Sequence, residues 1–333
     1  MKKIGYRTYE LEQPVKIIGS GAMAGAKEAD GPLGKYFKRV VDDDSMGEDS
    51  YEKAERRMFE ETLFMANKDA GLTEEQIHLF VGGDLLNQIV SANYAARAFD
   101  IPFLGVYGAC STMAESLIVG SMFIDGGFGE TAACATSSHF SSSERQFRNP
   151  LELGAQRQTY SQWTVTGAGC SVLSKYGNGP KITRFTIGNV TDYGVLDIAN
   201  MGAAMAPAAM NTLVHFFKDT NTSPEDYDLI ITGDLGKLGS DILHDLMASK
   251  GYPLGQVYSD CGHSIYSNTQ KTFQGGSGAG CSASVLNSYL IEKLRNKELK
   301  KVLFLPTGAL MSTTTNQQGD TIPAIAHLVE IEA

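Results

Sequence analysis

The sequence predicts an α/β protein, a layered αβαβα sandwich made of two similar halves. Three observations carry this. Strand-like and helix-like runs alternate along the chain, which argues for parallel or mixed sheets covered by helices. The segments 110–123 and 206–218 are apolar enough to be buried helices, so more than one helical layer is expected. The third is an internal repeat. Residues 72–85 (LTEEQIHLFVGGDL) align with 222–235 (TSPEDYDLIITGDL) at an offset of 150, sharing Glu75/Glu225, Leu79/Leu229, Gly83/Gly233, Asp84/Asp234 and Leu85/Leu235. Val106-Tyr107-x-x-Cys110 matches Val257-Tyr258-x-x-Cys261 at 151, and 130–138 matches 300–308 at 170. The second half therefore carries about twenty extra residues, placed within 262–275. The turn-like GNGP stretch at 177–180 divides the chain into halves 1–178 and 179–333.

The elements follow in order. Ala54, Met58, Met65 and Ala66 are spaced for one face of a helix over 50–70. Asp49 and Glu52 form its expected capping box, and Gly71 is its stop. Thr73-x-x-Gln76 then leads into a strand at 77–81. A second strand, 101–107, passes through Gly108-Ala109 into a helix over 110–123 with Met113, Leu117 and Ile124 as its buried stripe. A third strand lies near 131–136. The second half has expected strands at 181–187, 228–232, 302–306 and 324–331, and expected helices at 206–218, 240–249 and 281–297. The acidic run DDDSMGED (42–49) reads as a solvated loop. It is not an EF-hand, because the twelfth position from Asp42 is Lys53.

Composition narrows the function. The chain has 333 residues, 42% hydrophobic and 20% charged, close to globular averages. Its 38 acidic and 28 basic residues give a net charge of −10, with no dense Lys/Arg stripe, which disfavours general nucleic-acid binding. Any site for an anionic small molecule must then be built locally. Five scattered cysteines without a CxxC pair argue against zinc ribbons and dithiol redox motifs. The N-terminus lacks the apolar core of a signal peptide, and the apolar windows 101–124 and 199–217 are interrupted by Gly, Ser, Pro, Glu or Asn.

Cys110 is the sharpest chemical feature. A thiol at the start of a helix meets unpaired amides and the positive end of the helix dipole, which favour the thiolate. Burial as a small hydrophobe is the competing role. The loop QGGSGAG (274–280) precedes a helix and offers backbone amides to an anion, although close packing would use the same glycines. Asp84 and Asp234 end matching strands, where α/β proteins place ligand residues, and at least one of them should be a cap. The stretch 135–148 gathers Thr136, Ser137, Ser138, His139, Arg145 and Arg148, a set suited to a dicarboxylate or to surface ion pairs. Lys27 is another candidate cation and His263 a candidate base.

The duplicated halves, Gly-Ala-Cys-Ser at 108–111, GAGCSVLS at 167–174 and the loop at 275–280 resemble the thiolase and β-ketoacyl-synthase superfamily. That resemblance implies a thiolase-like five-layer αβαβα sandwich, usually dimeric, with Cys110 at the nucleophile position. The expected "His-Gln-Ala-Asn" and "Gly-Asn-Thr-Ser" signatures fall at 233–236 and 275–278, which read Gly-Asp-Leu-Gly and Gly-Gly-Ser-Gly. A closer resemblance spans the chain. The blocks SGAMAGAKEADGPLG (20–34), GDLLNQ (83–88), IPFLGVYGACSTMAES (101–116), ATSSH (135–139), MGAAMAPAAMNT (201–212) and GGSGAGCSA (275–283), among others, resemble the stage V sporulation protein AD family. It implies a non-catalytic protein that binds dipicolinic acid (pyridine-2,6-dicarboxylate), alone or as its calcium chelate. With the other SpoVA proteins it would move this cargo into the forespore and out in germination, from a peripheral position at the inner forespore membrane. No cofactor or resident metal is implied, and a homodimer is. The expected ligand-binding residues are Cys110, Asp84, Thr136, Ser137, Ser138, His139, Lys27, Gly276, Ser277 and Gly278. Two alternatives are an acyltransferase using Cys110 with Asp84, His139 or His263, and a purely structural subunit.

Overall fold

A computed structural model describes residues 1–147 and 157–333. The first half runs β1 (Thr8–Gly25), α1 (Tyr51–Ala70), β2 (Leu79–Gly83), α2 (Val90–Ala96), β3 (Phe103–Gly105), α3 (Thr112–Asp125), β4 (Thr131–Ser138), α4 (Phe140–Phe147) and β5 (Gly167–Ser174). The second runs β6 (Lys181–Thr186), α5 (Met201–Thr220), β7 (Leu229–Thr232), α6 (Gly236–Ser249), β8 (Tyr258–Asp260), α7 (Ala279–Val285), β9 (Lys301–Leu305) and β10 (Leu328–Glu332). A π-type segment, Leu286–Leu290, carries α7 on into Ile291–Arg295.

The two halves repeat one topology. Strand order is β3-β2-β4-β5-β1 in the first and β6-β10-β9-β7-β8 in the second, joined by antiparallel pairing of β1 with β6. In each half the three strands farthest from the join are parallel, and the antiparallel pairs lie nearer to it. Phe80 pairs with Phe103 and Ala133, whereas Ile230 pairs with Tyr258 and Leu303. The offset is therefore 150 at β2/β7, 155 at β3/β8 and 170 at β4/β9. Five of the extra residues precede β8 and fifteen follow it, so Phe103, not Tyr107, is the counterpart of Tyr258.

Three apolar clusters fill the spaces between five layers. Phe59, Leu63 and Ala66 of α1 pack on Phe80, Ala133 and Cys170. Leu213, Phe216 and Phe217 of α5, with Leu243 and Met247 of α6, pack on Ile230, Leu303 and Leu305. Between the sheets, Met113, Leu117 and Ile118 of α3 join Val285, Leu286 and Leu290 and touch strands of both halves. Each fully buried Phe or Leu contributes about 1.5–3 kcal/mol. The helix at 206–218 is buried as expected but lies in an outer layer, covered by α6 and the hairpin Thr307–Ala309/Ala324–Ala326. The central pair is α3 and α7. Helix α5 also starts earlier than expected, because Pro207 sits inside it rather than at its first turn.

Local chemistry explains the remaining differences. Ser50, not Asp49, caps α1 by accepting from the Lys53 amide at 3.3 Å, while Asp49 pairs with Lys53 Nζ on the surface. Gly71 ends α1 in the left-handed conformation, as expected. Only Phe103–Gly105 of the strand expected at 101–107 pairs with a neighbour. The long strand β1 was not expected. It contains Pro14, which sits where the register with β6 shifts between Glu10 and Val15. It also contains Gly21, where a Cβ would fall 2.4 Å from the Thr62 carbonyl oxygen of α1. Replacing Gly21 by Val is predicted to cost about 1–3 kcal/mol by overpacking, read as a lower urea midpoint with an unchanged slope.

Candidate functional site

The chain leaves β3, turns at Gly108 and Ala109, and passes through a 3₁₀ turn (Ala109–Ser111) into α3. Ala109 has φ = 50°, left-handed for a residue with a Cβ. Thr112 Oγ1 holds this turn, accepting from the Gly108 amide at 3.1 Å and donating to the Ala109 carbonyl at 2.6 Å. Ser111 Oγ pins it to the second half, donating to the Pro306 carbonyl at 2.8 Å and accepting from the His327 amide at 3.1 Å. Cys110 is thus presented at the seam between the halves.

Cys110 lines a cavity of about 40 Å³. Its polar side is Tyr107, Ser143, Glu144, Thr164 and Ser277; its apolar side is Leu85, Ala109, Phe147, Met201, Ala309 and Met311. Glu144 accepts from Thr164 Oγ1 at 2.9 Å and pairs with Arg157 Nη1 at 3.1 Å. Arg157 lies over Trp163 and Phe140, whose rings stack at 4.0 Å. Ser143 Oγ is buried with no hydrogen-bond partner among the described residues.

Asp234 sits just beyond β7 and is fully buried. It accepts from the Gly278 amide at 3.0 Å, from Ser277 Oγ at 3.2 Å and from Thr307 Oγ1 at 3.0 Å. The amide concavity expected at 274–280 is therefore present but holds the chain's own carboxylate; Gly280 N is taken by Ser138 Oγ. Gly278 has φ = 108°, and a Cβ there would fall 2.7 Å from Ser138 Oγ. Burial pushes the Asp234 carboxyl up to about 6. Burial first, and then the neighbouring Asp234 charge, push the Cys110 thiol well above its ordinary value. This reverses the expectation from helix position. The partial charge of a helix end is outweighed by desolvation and a whole adjacent carboxylate.

Of the ten expected ligand residues, Cys110 and Ser277 line the cavity, and the Gly278 amide is spent on Asp234. The others serve elsewhere. Asp84 caps the chain after β2, accepting from the Leu86 and Ala92 amides at 2.7 and 2.8 Å. Beside it lies Glu55, whose proton burial and the Asp84 charge hold well above the carboxylate range. Ser137 Oγ donates to Glu55 at 3.0 Å, so it faces α1. Thr136 Oγ1 donates to the Ala279 carbonyl and Ser138 Oγ to the Val165 carbonyl. His139 is buried, bonded through Nε2 to the Asp44 carbonyl oxygen at 2.8 Å and through Nδ1 to the Ser141 amide. Lys27 donates to the Gln270 carbonyl and lies 4.3 Å from the Trp163 ring centroid. The Gly276 carbonyl accepts from Gln162 Nε2. Arg145 pairs with Glu52 on the surface, His263 is exposed, and Arg148 lies outside the described residues. Asp234 was legible as the repeat partner of Asp84, and Tyr107 only as part of the Val-Tyr-x-x-Cys match; Ser143, Glu144, Thr164 and the methionines carried no chemical signal. No group of three or more metal-ligating side chains occurs among the described residues.

Removing the Asp234 charge should release the thiol. Asp234→Asn is predicted to shift the pH–rate profile of Cys110 alkylation by iodoacetamide to lower pH and to speed the reaction several-fold at pH 8. Peptide mass mapping checks this; an unshifted profile contradicts the assigned coupling. The buried acid pair has the opposite reach. A Glu55 proton retained in the folded state and lost from the unfolded chain makes stability fall as pH rises above the ordinary carboxylate range, by up to ~1.4 kcal/mol per pH unit. Glu55→Gln is predicted to flatten that slope in urea titrations at pH 5 to 8.

The stage V sporulation protein AD (SpoVAD) family model matches residues 5–332. A stage V sporulation protein AD of Bacillus subtilis (strain 168) is 46% identical over the whole chain and 98% of its own length. Among solved structures, 3-oxoacyl-[acyl-carrier-protein] synthase III from Aquifex aeolicus VF5 superposes with a TM-score of 0.57 at 14% identity, covering 96% of this chain and all of its own. Cerulenin-bound OleA from Xanthomonas does so with 0.60 at 14% identity, covering 97% and 98%. At such identities the likeness establishes the fold, a thiolase-like αβαβα sandwich. With the family model and the full-length relative agreeing, the chain belongs to the stage V sporulation protein AD family.

Proposed function

We propose that the chain is a non-catalytic binding protein for dipicolinic acid, working with the other SpoVA proteins to move it, free or as its calcium chelate, into the forespore and out in germination. The observation that carries the reading is the pairing of Cys110 with Asp234. A nucleophilic thiol needs a base or a lowered pKa. Here a buried carboxylate opposes thiolate formation, so the cavity is better suited to holding a molecule than to attacking one. Ser143 Oγ, buried and without a partner among the described residues, faces a cost that a ligand acceptor would relieve. The Arg157 guanidinium pairs with Glu144 and so offsets the negative charge that this lining residue would set against a ligand carboxylate. The apolar wall suits a flat ring.

The cavity has room for only two or three waters. Entry of a ring then requires displacement of Met201 and Met311, which are unbranched and adaptable. No helix among the described residues is long and apolar enough to cross a membrane. The reading therefore assigns passage across the forespore membrane to partner proteins, with this chain, as a homodimer, at the membrane surface.

Calorimetry with dipicolinate is expected to give saturable heat with the wild-type chain and at least tenfold weaker binding, about 1.4 kcal/mol, in Cys110→Trp, which fills the cavity. No heat from the wild-type chain, with and without calcium, would sink the reading. Acyl-CoA and acyl carrier protein incubations are expected to leave the intact mass unchanged. A stable acyl adduct, absent in Cys110→Ala, would instead support acyl transfer.

A further inference from the structure

The Cys110 cavity shares a wall with a larger space. A cleft of about 430 Å³ opens at the surface between the turn Asn87–Ile89, the end of β3 and the segment Leu310–Thr315. Tyr107 and Met311 line both spaces, and no other described residue does. Consecutive residues flank this partition from either side. Leu85 and Ala309 face the cavity, whereas Leu86 and Leu310 face the cleft.

The cleft rim is held in a costly shape. Gln88 and Ile89 have φ of 58° and 46°, and a β-branched residue is a true outlier there. Such backbone persists only where its surroundings fix it, and it concentrates at functional openings. Here the fixing is visible: the Asp84 carboxylate takes the amides of Leu86 and Ala92, one on each side of the strained pair. Asp84 acts as a positioning residue for the rim. Of the two wall side chains, Tyr107 is 42% exposed and free to change rotamer quickly, and Met311 is unbranched and soft.

We propose that this cleft is the entrance to the Cys110 cavity and that Tyr107 and Met311 form its gate, which sets the width of the molecules that pass. The competing way in runs past half-buried Phe147. The route is a property of the cavity and does not rest on which ligand is carried.

Cys110 itself reports on passage. The full chain is treated with methyl methanethiosulfonate and, separately, with the bulkier benzyl methanethiosulfonate, and modification at Cys110 is followed by peptide mass mapping. The ratio of the bulky to the small rate cancels changes in thiol pKa and reads width alone. The other four cysteines are fully buried. Tyr107→Trp and Asn87→Trp are expected to lower the ratio roughly fivefold or more, Tyr107→Ala to raise it comparably, and Phe147→Ala to leave it unchanged. Asn87 is exposed and outside the cavity, so its variant narrows the cleft without disturbing the core. A ratio that responds to Phe147→Ala and not to Asn87→Trp overturns the proposal, as does a ratio that none of the variants moves.

Discussion

The packing of α3 and α7 between two sheets is the constraint on which the site depends. Both helices belong to the same position in the repeated topology, so both begin at strand ends that face the seam between the halves. Cys110 opens one and Ser277-Gly278 precede the other. The Ser282 hydroxyl, donating to the Cys110 carbonyl at 3.5 Å, links the two helix starts, and the Thr136 hydroxyl of β4, donating to the Ala279 carbonyl at 3.1 Å, fixes the start of α7 to the first sheet. A cavity between two helix starts is then a geometric result of stacking two copies of one unit around a shared layer. What differs between relatives on this frame is which side chains arrive there.

The repeat also shows how one position acquires two roles. Asp84 and Asp234 end equivalent strands and begin as equivalent residues. In the first half, Asp84 spends both oxygens on the amides that follow it. In the second, the Leu235 and Gly236 amides are taken by Asp260 on the neighbouring strand, at 2.9 and 3.0 Å. Asp234 is thereby released to turn toward Ser277, Gly278 and Cys110. The fifteen residues inserted after β8 lie directly beyond Asp260, so the insertion and the freed carboxylate occur at one place.

Much of this was legible in the sequence. Helical periodicity located α1 and α3, and the repeat fixed the correspondence of β2 with β7 and of β4 with β9 to the residue. Strand β1 was not legible, since Pro14, Gly19 and Gly21 weaken any strand pattern. Its identity comes from pairing with residues more than 140 positions away and from the close approach of α1. The site was half legible. Cys110 and the loop at 275–280 announce themselves locally, because a strand–turn–helix passage is a local pattern. Their electrostatics do not, because burial comes from the whole fold and the charged group beside the thiol, Asp234, lies 124 positions along the chain. Likewise Ser137 and His139 look like ligand residues in a hydroxyl-rich stretch, yet strand alternation and the α4 turn aim them at Glu55 and Asp44.

Strand β1 has a further consequence, for the order in which the chain can fold. Its first residues pair with β6, and Thr8 Oγ1 meets Thr186 Oγ1 at 2.8 Å across 178 residues of sequence. Its later residues pair with β5. Strand β1 therefore waits with an edge unpaired until residues 167–186 have been made. Contacts of such long range form slowly, and an unpaired edge in the meantime invites association with other chains. The two halves cannot mature one after the other. They must close as a single cooperative unit, and synthesis in a cell requires that the waiting edge be kept apart from its neighbours.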